Sequence, residues 1–306
     1  MSIPAVEAVG LRKEYGRKIA LHGLDLAVQP GEVFGFLGPN GAGKTTTVKI
    51  LLGLVAATSG EARLFGKPVG DAESRRRVGY LPENFRFHDW LTGSELLDLH
   101  ARLAGVSRGE RERRIPEILE LVGLGGRGDD RVRSYSKGMT QRIGLAQAII
   151  HAPDLVLLDE PTSALDPVGR REVRDLIRSL RAQGMTVFLN SHLLSEVEMV
   201  CDRVAIVDRG RVVRSGRLEE LLGGFSELRV TLDRIDAPLL ELLADYGRVL
   251  EAREATVTLG VQDVDIAARL SEALVRGGYC LYAMVPSHQS LEDVFMSLVE
   301  PSADRS

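Results

Sequence analysis

Two periodicities run through the chain. Two-residue alternations and short apolar runs predict strands, and between them apolar positions recur at three- and four-residue intervals, as on one face of a helix. Val6/Ala8 and Leu24/Leu26/Val28 supply period-two apolar positions and predict strands over residues 5–11 and 24–28. Pro30-Gly31-Glu32 then turns the chain into the apolar run Val33-Phe34-Gly35-Phe36-Leu37, and Val48, Leu51 and Leu52 share one face of the helix after it. Ala62–Gly66 and Val78–Leu81 read as further short strands, the second ending at Pro82-Glu83-Asn84. From 88 to 150 the pattern is helical. Ser94 opens one helix containing Leu96, Leu97 and Leu99; Ser107 and Glu110 form a capping box for another, with Ile115, Ile118, Leu119 and Val122 at helical spacing. Leu155-Val156-Leu157-Leu158-Asp159-Glu160 has the continuous apolar character of a strand buried on both faces. A helix with Val173, Leu176, Ile177 and Leu180 follows, then a second buried strand, Thr186–Asn190, leading into Ser191-His192. Strands alternating with helices predict a mostly parallel sheet with its ligand site at the carboxyl ends of the strands.

The pattern changes again near the end. Val204–Val207 and Arg211–Val213, joined through Asp208-Arg209-Gly210, predict a hairpin that closes a first domain of residues 1–222, with 88–150 as its helical subdomain. Gly223-Gly224 marks the boundary. Over 225–300 the order becomes strand (Leu228/Val230/Leu232), helix (Leu239–Leu243), hairpin (Val249-Leu250 with Val257/Leu259/Val261), helix (Ile266–Val275) and strand (Tyr279–Val285). This β-α-β-β-α-β order predicts a small α+β domain of ferredoxin-like arrangement, followed by a terminal helix capped by Ser290 and running through Phe295 and Leu298. It contains no catalytic constellation and reads as a dimerisation or regulatory module.

Composition narrows the classes. The 306 residues carry a net charge of −4, so the overall balance gives no electrostatic reason to expect nucleic acid. The charged run Arg108–Arg114 is interrupted by Glu110 and Glu112 and reads as a solvated helix face. No apolar run reaches the length of a membrane span, and the first residues lack a basic segment followed by an apolar one. Cys201 and Cys280 lie in unrelated settings and are expected as buried free thiols in a reducing cytoplasm.

The chemistry gathers at the predicted strand ends. Gly38-Pro39-Asn40-Gly41-Ala42-Gly43-Lys44-Thr45-Thr46 lies between a strand and a helix and matches G-x-x-x-x-G-K-[ST]. Its glycines let backbone N–H groups curl around phosphate oxygens at a helix N-terminus; Lys44 is expected on the β- and γ-phosphates and the Thr45 hydroxyl on Mg²⁺. Asp159 and Glu160 end the next buried strand. Alternation in a strand sends their side chains to opposite sides, so the two have different jobs: Asp159 holds Mg²⁺, and Glu160 orients or deprotonates the attacking water. His192, at the end of the following strand, is placed to donate to the γ-phosphate. Tyr15, in Lys13-Glu14-Tyr15-Gly16, either stacks on an adenine ring or plugs an edge of the core; by residue type alone the core reading is the stronger.

With these motifs, residues 1–222 resemble the ATPase subunit of an ABC transporter. Tyr135-Ser136-Lys137-Gly138-Met139-Thr140-Gln141 is similar to the family's signature, Ser163-Ala164-Leu165-Asp166 to its D-loop, and His192 to its switch histidine. The resemblance implies a P-loop NTPase core with a helical subdomain and places Tyr15 on the adenine. It places Ser136 and Gly138 against the γ-phosphate held by a second subunit, so that two ATP molecules are sandwiched in a homodimer. Glu83 stands where the family's Q-loop has glutamine, and the resemblance gives it a share in holding Mg²⁺. Ser-Lys-Gly-Met replaces the usual Ser-Gly-Gly-Gln, keeping the serine and the second glycine. Leu81-Pro82-Glu83-Asn84 and Ser290-Leu291-Glu292-Asp293-Val294-Phe295 look most like separate-chain ATPases of bacterial exporters, for drugs, lipids, or assembly and maturation systems. What this implies is a peripheral protein on the cytoplasmic face of the inner membrane, powering a separate integral-membrane permease. The other reading is a soluble ABC ATPase acting on nucleic acid or ribosomes; the coiled-coil insertions or second cassette of such proteins are not seen in this sequence.

Overall fold

The first unit opens with a hairpin of β1 (Val6–Tyr15) and β2 (Lys18–Val28), after which β3 (Val33–Leu37) runs into α1 (Lys44–Leu51). Next come β4 (Ser59–Leu64), β5 (Lys67–Pro68), α2 (Ala72–Arg76) and β6 (Val78–Leu81). Three helices follow, α3 (Gly93–Leu103), α4 (Arg108–Leu121) and α5 (Lys137–Ile149). The chain returns through β7 (Leu155–Asp159), α6 (Pro167–Ala182), β8 (Thr186–Asn190) and α7 (Leu194–Val200), and closes with the hairpin β9 (Arg203–Asp208) and β10 (Arg211–Arg217). The computed structural model describes residues 3–84, 86–163, 165–222, 226–261, 266–288 and 290–299. Within it the chain divides into two units, Met1–Arg217 and Leu218–Ser306.

Two sheets build the first unit. A six-stranded sheet has the order β10-β9-β3-β8-β7-β6, parallel except for β10, and an antiparallel sheet has the order β2-β1-β4-β5. Their strands share one core with α1, in which Leu11, Leu21, Leu24, Phe34, Phe36, Leu51 and Phe188 are fully buried. The ring of Phe188 lies 5.3 Å from Phe36 and 5.8 Å from Phe34, locking β8 beside β3. β3, β8, β7 and β6 are therefore consecutive neighbours, and the segments leaving their carboxyl ends sit side by side.

Several local expectations are corrected. The first hairpin is longer than residues 5–11 and 24–28, because register shifts between Ala8 and Leu11 and between Lys13 and Glu14 break the two-residue alternation without ending the strands. Tyr15 is thus the last residue of β1 rather than part of a loop. β4 stops at Leu64, since Phe65 and Gly66 both take positive φ in the turn to β5. Thr92, not Ser94, caps α3, forming a reciprocal capping box with Glu95. At α4 the box is only half made: Ser107 Oγ accepts from the Glu110 N–H, but also donates to the Glu110 carboxylate. Of the two thiols, Cys201 is buried and Cys280 is exposed, because Cys280 precedes the last strand in a loop whose backbone is held by Asp233.

The second unit contains α8 (Leu218–Leu222), β11 (Ser226–Leu232), α9 (Ala237–Ala244), β12 (Arg248–Arg253), β13 (Thr256–Val261), α10 (Ile266–Arg276), β14 (Leu281–His288) and α11 (Leu291–Val299). Its four strands form an antiparallel sheet of order β12-β13-β11-β14, and Leu228, Val230, Leu239, Leu243, Leu259, Leu270 and Leu274 fill a core of its own. Ser290 caps α11 by exchanging hydrogen bonds with Asp293. Gly223 and Gly224, read as a boundary, lie outside the described residues, as does Ala164 of the segment similar to a D-loop. Among the described residues no helix is long and apolar enough to cross a membrane.

Candidate functional site

The loop after β3 is shaped by what surrounds it. A side chain on Gly38 would place its Cβ 2.3 Å from the Val207 carbonyl oxygen of β9, so only glycine fits. Gly43 adopts φ 105° and a Cβ there would meet Leu21 Cδ2 at 2.7 Å and the Ala20 carbonyl at 2.8 Å. Between them Asn40 and Gly41 are exposed and Ala42 is buried, its carbonyl accepting from the Gly210 N–H at 2.9 Å. Gly43 gives α1 no side-chain cap, which leaves the first-turn N–H groups of Lys44, Thr45 and Thr46 at the uncapped, electropositive end of the helix. Lys44 is buried and its ammonium folds back over the loop, donating to the carbonyls of Gly38 at 2.6 Å and Pro39 at 3.2 Å. Thr45 is exposed at the mouth.

Three carboxylates face this lysine. Burial pushes the Lys44 ammonium below its ordinary pKa, while Glu160, Asp159 and Glu83 pull it the other way. Asp159, the last residue of β7, is raised, first by burial and then by Glu83 and Glu160; a hydrogen bond from Asn190 Nδ2 to its Oδ1 opposes the rise. Glu160 departs from the alternation expected of it. β7 ends at Asp159, and Glu160 turns out of the strand at φ 53°, its N–H held by the Asn190 carbonyl at 2.8 Å. Both acids act on Lys44, and they reach different partners, Asp159 the Asn190 amide and Glu160 the His192 ring. His192 Nδ1 lies 2.8 Å from Glu160 Oε2. The contact is an ion pair when the imidazole is protonated. Glu83 follows β6 and is exposed; together with Asp159 it acts on Tyr80, whose phenol is pushed up to about 12 chiefly by burial.

This oxygen-rich arrangement suits a hard divalent cation. Among the described residues no three His, Cys, Asp or Glu side chains form a complete cage. A magnesium site that borrows phosphate oxygens needs only one or two carboxylates, so Thr45, Glu83 and Asp159 fit such an ion.

The remaining residues singled out in the sequence stand apart. Tyr15 is 47% exposed, with Lys13 Nζ 4.9 Å from its ring centroid, so it does not plug the core. Ser136 is the exposed N-cap of α5, and its hydrogen bonds run to Met139 and Thr140 of its own helix. A Cβ on Gly138 would lie 3.7 Å from Leu165, beside the segment after Glu160 rather than the phosphate loop. Neither makes a hydrogen bond to the loop in this single chain. Asn190 was read only as the end of a strand; the signal it carried was a polar residue closing an otherwise apolar run.

A family model described as ABC transporter matches residues 21–163. An uncharacterized ABC transporter ATP-binding protein of Synechocystis sp. is 47% identical over 279 residues, covering 90% of this chain and 77% of its own. The linearmycin resistance ATP-binding protein LnrL of Bacillus subtilis is 33% identical over 305 residues, covering 98% and 96%. Among solved structures, an ATP-binding cassette in a dimeric post-hydrolysis state bound to ADP and Pi is similar with a TM-score of 0.62 and 27% identity, covering 70% of this chain and 98% of that one. A likeness that covers 77% of one such relative and 96% of another leaves one conclusion: the chain belongs to the ABC transporter ATP-binding proteins, and it is an ATPase.

Proposed function

We propose that this chain works as one half of a homodimer that closes around two ATP molecules and powers a separate integral-membrane permease of the export type. The observation that carries the reading is the convergence of the phosphate loop, Glu83, Asp159-Glu160 and His192 at the ends of four neighbouring parallel strands, while Ser136 and Gly138 make no hydrogen bond to that loop. One subunit supplies the loop and the acids; the exposed start of α5 is a second anion site, suited to the γ-phosphate held by a partner copy. Tyr15 stacks on the adenine, and Gly38 to Thr46 wrap the phosphates. Thr45, Glu83 and Asp159 hold magnesium, which supplies positive charge against the phosphate oxygens when bound. Glu160 accepts the proton of the attacking water, and His192, 2.8 Å from the Glu160 carboxylate, donates to the γ-phosphate. A relative named for linearmycin resistance supports the export reading, and with it we read the chain as a peripheral protein on the cytoplasmic face of the inner membrane.

Glu160→Gln tests the assignment. ATP hydrolysis should fall by at least about 100-fold, since general-base catalysis contributes on that scale, while ATP binding persists and an ATP-dependent dimer accumulates in size-exclusion chromatography. Near-normal turnover, or a chain that stays monomeric with ATP bound, would sink the reading.

A further inference from the structure

Asn190 is buried to 2% exposure at the end of a strand whose other side chains, apart from Thr186, are all apolar. It lies in parallel register with Asp159 on one side and with Phe36 of β3 on the other. Its side-chain amide donates to Asp159 Oδ1, and its backbone carbonyl receives the Glu160 N–H at 2.8 Å. One residue thus grips both acids, one by its side chain and the other by its backbone.

The remaining atom of the amide, Asn190 Oδ1, is buried with no hydrogen-bond partner. An unpaired buried acceptor costs about 1–3 kcal/mol, so a residue present only to stabilise the sheet would be better replaced by an apolar one. Leu189 and Phe188, its neighbours on the same strand, are apolar.

We infer that Asn190 is a positioning residue that aims Asp159 at the magnesium ion and holds Glu160 in its left-handed turn. This rests on the reading of the site given above. Donation to Oδ1 fixes the carboxylate plane of Asp159, so its other oxygen would meet the cation without a search among rotamers. Residues that orient metal-binding groups in this way are worth about 10- to 100-fold in metal affinity or activity.

The test measures nucleotide binding rather than turnover. A fluorescent ATP analogue is titrated into full-length protein with Mg²⁺ and again with EDTA, and the ratio of the two dissociation constants is compared for wild type, Asn190→Leu, Asn190→Ala and Asn190→Ser. The Leu and Ala variants should lose about tenfold of the affinity gained from Mg²⁺, with the EDTA value unchanged, and Ser, which keeps a donor, should recover part of it. A purely structural role would lower the melting temperature and leave the ratio alone. An unchanged ratio in either folded variant overturns the inference, as does an equal loss with and without Mg²⁺. If neither Leu nor Ala melts cooperatively, Asn190 is a folding residue and the inference is likewise overturned. Wild type that fails to bind the analogue at all would count against the proposed function instead.

Discussion

Asp159 carries a cost that shows only when it is ionised. Its folded-state pKa lies above the ordinary 3.8, mainly through burial. Below the ordinary value both folded and unfolded chains are protonated and no penalty exists. Between the two pKa values the folded state holds the extra proton, so stability falls as pH rises; above both, the full penalty remains. Asp159→Asn should therefore melt a few degrees higher than wild type at neutral pH in EDTA without nucleotide, with the gap closing as pH is lowered toward about 4. A variant that melts lower across the range would contradict this. The identity of the acids was legible in the chain, since two carboxylates at the end of an apolar run beside a phosphate loop have few other uses. The backbone at Glu160 was not: alternation assumes that the strand continues, but a left-handed glutamate has no marker in residue type, and its N–H is held at φ 53° by the Asn190 carbonyl of the next strand.

Among elements, the turn that carries His192 is anchored from below. Arg174 of α6 donates through one nitrogen to both oxygens of Glu196 on α7, each at 2.8 Å, and both side chains are largely buried. Removing one partner strands the other charge, so Arg174→Met should cost about 3 kcal/mol in denaturant unfolding. Arg174→Met with Glu196→Leu should regain most of it, and a double variant no better than the single would refute the account. Strands and helices followed their periodicities closely where packing is one-sided or complete, as in β7, β8 and α6. The misses came where register slips, as in β1 and β2, or where two capping candidates compete within three residues, as Thr92 and Ser94 do. In both cases the deciding contact comes from another part of the chain: Thr92 bridges to Arg131, and β1 pairs with β4 as well as β2.

At the scale of the molecule, each unit has its own core, so each should fold alone. A chain ended after Arg217 should melt cooperatively and bind ATP. If the second unit serves dimerisation, ATP-dependent association of the truncated chain should weaken about tenfold, or 1.4 kcal/mol, in sedimentation of the Glu160→Gln background. An unchanged association constant would remove that role.

The Lys44 ammonium is engaged by the Gly38 and Pro39 carbonyls, which ties the start of the loop to the first turn of α1. A ligand group that took the ammonium from these two neutral acceptors would need negative charge of its own, which the oxygens of a polyphosphate carry.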